Sequence, residues 1–204
     1  MTTYVNVLID ESGSMQSVKS QIISGFNEYI QGLKKVKGKV RVSLTKFDST
    51  GVKPEYVAKK RKEVPELTAE TYSPGAMTPL YDAVGEMVRA VEKTDIKKQD
   101  NVLVVIQTDG FENCSKEFTE FQIKSLVEEK TKDGWTFVYL GADQDAWAPA
   151  AKMGIAAANT LAYASTDTAQ VVGDRLTRAS VAYAANSKGT AKDDFFSDKD
   201  SSSG

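Results

Sequence analysis

The stretch Tyr4-Val5-Asn6-Val7-Leu8-Ile9-Asp10-Glu11-Ser12-Gly13-Ser14 decides how this chain is read. Its first six residues form an apolar run of the kind found in strands buried on both faces of a parallel sheet. Asp10 to Ser14 then breaks the run with acids, hydroxyls and glycine, the composition of a turn. Beyond it, Val18, Ile22, Phe26, Tyr29, Ile30 and Leu33 recur at spacings of three and four, which predicts an amphipathic helix. A buried strand, a polar turn and an amphipathic helix begin a β-α-β unit.

The alternation continues. Val40 to Phe47 reads as a second strand, and Val52 to Lys62 as a charged strand returning antiparallel at the sheet edge. Lys59-Lys60-Arg61-Lys62 fits solvated charge guarding that edge, and Lys34, Lys35, Lys37 and Lys39 fit solvated surface. Pro79 suits the first turn of a helix striped by Leu80, Val84, Met87, Val88 and Val91. Val102 to Gln107 is the most hydrophobic strand and runs into Thr108-Asp109-Gly110. A helix over Thr119–Lys132 stops at Gly134, followed by a strand over Trp135–Leu140. A short helix over Asp145–Met153, a last strand over Thr160–Ala164 and a closing helix marked by Val172, Leu176, Ala179 and Tyr183 complete the pattern. The expectation is a doubly wound α/β domain over residues 1–185. From 186 to 204 the composition turns to Ser, Asp, Lys and Gly, and is read as a flexible tail.

Composition narrows the chemistry. The 204 residues are 41% apolar and 26% charged, which suits one globular domain. Lys plus Arg is 26 against 28 for Asp plus Glu, a net charge of −2 that argues against a general nucleic-acid binder. There is no histidine, which excludes Ser-His-Asp and Cys-His catalysis and imidazole zinc sites. Any metal must rest largely on oxygen, which favours Mg²⁺, with Mn²⁺ or Ca²⁺ as alternatives. The single Cys114 cannot form an intrachain disulfide and reads as a bystander in a reducing compartment. No basic and apolar leader or membrane span opens the chain, so a cytoplasmic location is expected. The glycines at 32 and 38 are separated by five residues and Val40 replaces the required hydroxyl, so no phosphate loop lies there.

Taken alone, Asp10-Glu11-Ser12-Gly13-Ser14 is ordinary capping and turn composition. Two further positions change its reading. Thr78 ends a turn-rich loop before the second long helix, and Asp109 follows the most buried strand. In a doubly wound sheet all three segments emerge at the carboxyl edge, where ligands bind at the switch in strand order. Asp10, Ser12, Ser14, Thr78 and Asp109 would then supply two carboxylates and three hydroxyls to a divalent cation, which takes about six oxygens. Neutral hydroxyls leave the ion enough positive charge to seek an anionic ligand from outside.

This ordered set resembles the von Willebrand factor A domain, and most closely a bacterial and phage subgroup with motifs like Gly25-Phe26-Asn27, Phe47-Asp48, Leu80-Tyr81-Asp82-Ala83-Val84-Gly85 and Thr108-Asp109-Gly110-Phe111-Glu112-Asn113. The resemblance spans residues 3 to 185. It implies a mostly parallel six-stranded sheet with one antiparallel edge strand and helices on both faces. It also implies a metal-ion-dependent adhesion site (MIDAS), with Ser12, Ser14 and Thr78 as direct ligands and Asp10 and Asp109 acting directly or through water.

Around this set, Glu11 and Glu112 read as solvated neighbours that could tune charge or contact a partner. Asp82 reads as a supporting or capping residue, and Asp48 as a support for the first loop. Asp143 and Asp145 read as turn or capping residues at the same edge. Tyr72, Met77, Phe111 and Trp147 could add contacts to a partner. The expected function is an intracellular, non-enzymatic module whose Mg²⁺ takes an Asp or Glu from a protein partner. Any ATPase working beside it, as in the chelatase-type members, would be a separate chain. Two alternatives remain. One is a self-assembling scaffold using the acids around Phe195-Phe196, although an inert tail fits that segment as well. The other is metal-assisted hydrolysis, disfavoured because residues 10–18, 71–79 and 108–115 contain no Lys or Arg to stabilise a developing anion.

Overall fold

The computed structural model describes residues 1–142, 146–186 and 188–197. Six strands form one sheet: β1 (Thr2–Asp10), β2 (Lys39–Asp48), β3 (Gly51–Lys60), β4 (Asn101–Thr108), β5 (Trp135–Ala142) and β6 (Thr160–Tyr163). Their order is β3-β2-β1-β4-β5-β6. All neighbours are parallel except β2 and β3, which are antiparallel, as expected for the charged edge strand.

The sheet has two apolar faces because residues alternate sides along each strand. Val5, Val7 and Ile9 of β1 and Leu103 and Val105 of β4 join one core. That core is closed by α1 (Lys19–Lys34) and a final helical run. This run begins as α5 (Thr168–Gln170), widens to a π-helical stretch over Val171–Leu176, and ends as α6 (Thr177–Asn186). Leu8 and the alternate residues Val102, Val104 and Ile106 face the other core. There α2 (Leu80–Glu92), α3 (Glu120–Lys132) and α4 (Trp147–Lys152) cover them. Burial on both sides explains why β1 and β4 read as near-continuous apolar runs.

The chain leaves β1 through α1 towards β2 on one side, while β4 lies on the other side of β1. The carboxyl ends of β1 and β4 therefore flank the switch in strand order, where adjacent connections diverge and leave a crevice.

The flexible tail expected from residue 186 is corrected over 188–197. Gly189 N–H donates to Asn101 Oδ1 at 3.0 Å, Lys192 N–H to Thr136 Oγ1 at 3.0 Å and Phe195 N–H to Asn159 Oδ1 at 2.8 Å. Asn159 Nδ2 in turn donates to the Lys192 and Phe137 carbonyls. Phe195 and Phe196 are buried and meet edge to face with ring centroids 5.0 Å apart. The segment is a strap that completes the first core, because its aromatic pair has apolar area to bury. Asp143, Asp145 and residues 198–204 lie outside the described residues.

Candidate metal centre

β1 delivers Asp10 fully buried at its end. Asp10 Oδ1 accepts the Ser12 N–H at 2.7 Å, closing a local turn of the type aspartate favours. Oδ2 accepts from the Thr108 hydroxyl on the adjacent strand. Burial pushes this carboxyl up to about 6, against the lowering effect of the Thr108 and Ser12 hydrogen bonds, and the nearby Asp109 charge adds to the rise.

Ser12 occupies the N-cap position of the 3₁₀ turn Gly13–Val18, but its side chain makes no capping hydrogen bond. Its hydroxyl instead lies 3.3 Å from the Ser14 hydroxyl, and Ser14 Oγ donates to Asp109 Oδ1 at 2.6 Å. The capping alternative therefore fails for Ser12. Thr78 is buried just before α2. Asn113 grips its backbone from both sides, accepting the Thr78 N–H on Oδ1 at 2.9 Å and donating its own N–H to the Thr78 carbonyl at 3.1 Å.

Gly110 is where these segments converge. A Cβ there would lie 3.0 Å from Thr78 Oγ1, 3.6 Å from Asp10 Oδ2 and 3.7 Å from Ser14 Oγ. One point free of side chain is thus ringed by oxygens from the Asp10–Ser14 and Thr78 loops. Ser12 and Asp109 reach it through their contacts with Ser14. Two carboxylates and three hydroxyls fit a hard divalent cation, and the donor set is unsuited to a soft one. Among the described residues there is no cluster of three or more Asp, Glu or Cys side chains that could hold a metal. A divalent ion held here would meet neutral hydroxyls on the side of Ser12, Ser14 and Thr78, with its charge balanced by Asp10 and Asp109.

Of the surrounding acids, Asp82 takes the supporting, capping role expected of it, and Glu11 and Glu112 do not stay solvated. Glu11 is buried and its Oε1 accepts the Ser73 N–H at 2.7 Å. Glu112 Oε2 accepts the Tyr81 N–H, and its Oε1 accepts the N–H groups of Cys114 and Ser115. Asp82 accepts three successive N–H groups, from Lys116, Glu117 and Phe118. Asp48 closes the β2–β3 turn by accepting from Thr50. Glu11 and Glu112 are backbone clamps and not solvated neighbours. Tyr72 is also corrected, from partner contact to internal prop: it is fully buried and its hydroxyl donates to the Asp10 carbonyl at 2.7 Å. Met77, Phe111 and Trp147 are exposed. Ala76, beside Met77, holds φ at +62°, a strained conformation for a residue with a Cβ, and its carbonyl accepts the Gly13 N–H. Asn113 is not among the site residues expected from the sequence. Its place in the Thr108–Asn113 run was the only trace of it in the sequence.

A doubly wound α/β domain with a hydroxyl-rich oxygen site at its switch point is the class these features define. The family model for the von Willebrand factor type A domain matches residues 5–176, and the chain belongs to that family. Among similar solved structures is proximal thread matrix protein 1 from the mussel byssus with a zinc-occupied MIDAS motif. It shares 16% identity at a TM-score of 0.62, over 84% of this chain and 46% of that one. The ArnB paralog VWA2 from Sulfolobus acidocaldarius shares 13% identity at a TM-score of 0.57, over 85% and 44% respectively. A von Willebrand factor type A structure from Catenulispora acidiphila shares 12% identity at a TM-score of 0.59, over 88% and 42%. These likenesses are of fold, and the chain spans less than half the length of each structure. Comparison with curated proteins gives no match.

Proposed function

We propose that this domain is a metal-dependent protein-binding module, not an enzyme. Asp10, Ser12, Ser14, Thr78 and Asp109 would hold Mg²⁺, and an Asp or Glu side chain of a protein partner would bind there. The observation that carries this reading is the convergence of Thr78, Asp10 and Ser14 oxygens around the bare position at Gly110. A bound divalent ion would supply positive charge for an external carboxylate. The chain's own residues do the rest: Asn113 fixes Thr78, Thr108 orients Asp10, and Ser14 tethers Asp109. Met77 and Phe111, exposed next to Thr78 and Gly110, would extend the contact, since one carboxylate alone gives modest affinity.

The absence of histidine and of Lys or Arg in residues 10–18, 71–79 and 108–115 supports binding over hydrolysis. Burial of Phe195 and Phe196 within their own chain weighs against a scaffold built on that segment. No helix among the described residues is long and apolar enough to cross a membrane. A cytoplasmic setting is proposed from the lone cysteine.

The test is a pull-down from host-cell lysate with wild type and Asp109→Ala, each with Mg²⁺ and with EDTA. A partner retained only by wild type in Mg²⁺ is the expected outcome. Equal retention in EDTA would contradict the metal bridge.

A further inference from the structure

Lys46 lies on β2 and exposes only 9% of its side chain. A buried ammonium needs partners, and this one has three. Its Nζ stands 3.4 Å from Glu11 Oε1 and 3.0 Å from Glu55 Oε1, and it donates to the Thr71 carbonyl. Glu11, 6% exposed in its side chain, sits between Asp10 and Ser12. Its carboxylate accepts the Ser73 N–H at 2.7 Å, and its carbonyl accepts the Gly75 N–H at 2.8 Å. Its own N–H donates to the Phe47 carbonyl at 2.7 Å.

One buried ion pair therefore connects β2, the Asp10–Ser14 loop, and the segment over 71–75 that leads into Thr78. Neither side chain supplies one of the five site oxygens. A pair serving stability alone would not need these contacts to the ligand-bearing loops, and burying an ion pair is itself a poor source of stability. We propose that Glu11 and Lys46 are positioning residues for the cation site, setting the Asp10–Ser14 loop against Thr78. This rests on the cation reading above.

The sign of the charge separates positioning from electrostatics. Coulomb attraction alone would raise cation affinity when a nearby ammonium is removed. Loss of a positioning contact lowers it. The experiment is a Mn²⁺ titration followed by electron paramagnetic resonance, with Mg²⁺ as competitor, on wild type, Lys46→Met and the double variant Lys46→Met/Glu11→Leu. Circular dichroism and urea unfolding in EDTA report the fold of each.

Lys46→Met is expected to weaken Mn²⁺ binding about ten-fold or more, the range seen when residues supporting metal ligands are lost. The double variant keeps the wild-type net charge and leaves no unpaired Glu11 carboxylate, so it is expected to fold even if the single variant does not. It is also expected to stay weak. Affinity equal to or above wild type in a folded variant would overturn the proposal. Failure of wild type to bind Mn²⁺ would instead overturn the cation reading itself.

Discussion

Asp10 carries an electrostatic cost of burial at the site. Its carboxyl is pushed up to about 6 from an ordinary 3.8, chiefly by burial, so folding disfavours its ionised form. In EDTA that cost is present in full above about pH 6 and disappears as the pH falls towards about 4. Urea unfolding in EDTA is therefore expected to show the chain gaining on the order of 1 kcal/mol between about pH 7 and about pH 5. Asp10→Asn is expected to flatten that rise and to remove cation binding; a rise that persists in the variant would place its source elsewhere. Tyr72 makes a second residue-scale case. Tyr72→Phe leaves the Asp10 carbonyl without its buried donor, and is expected to cost about 1–2 kcal/mol in the same assay.

The strap over 188–197 shows what an element can hide in composition. Its Ser, Asp and Lys content read as a tail, yet Phe195 and Phe196 lie in the core and Tyr183 meets the Phe195 ring at 5.9 Å. Phe195→Ala is expected to destabilise the domain by about 3–5 kcal/mol, as core aromatic truncations do, measured by urea unfolding. A change near zero would restore the flexible-tail reading. The long-range partners of the clamps are equally hidden, although a supporting role for Asp82 is legible. Glu11, Asp82, Glu112 and Asn113 accept from backbone groups about thirty to sixty residues away in sequence, and no local pattern records such partners. The strands and long helices were legible because burial imposes its period directly on the residues, as in the alternation of Val102 and Val104 against Leu103 and Val105.

At the scale of the whole molecule, the site is a consequence of topology. Asp10 and Asp109 are 99 positions apart in the sequence numbering and are brought together because β1 and β4 are parallel neighbours at the switch in strand order. That rule places the segments carrying the five residues at one sheet edge, while their roles as ligands come from the resemblance to the family. Such sites commonly cost stability for function. Asp109→Ala removes a like charge facing Asp10, so in EDTA it is expected to be at least as stable as wild type by thermal unfolding. A markedly lower melting temperature would show that Asp109 serves the fold instead. Capture of a divalent cation by the side chains of Asp10, Ser12, Ser14, Thr78 and Asp109 is what the proposed binding function requires. It is tested most directly by crystals grown with MnCl₂ and measured for anomalous scattering. One strong peak bounded by Asp10, Ser12, Ser14, Thr78 and Asp109 is expected. No peak there, or a peak held by other residues, would contradict it.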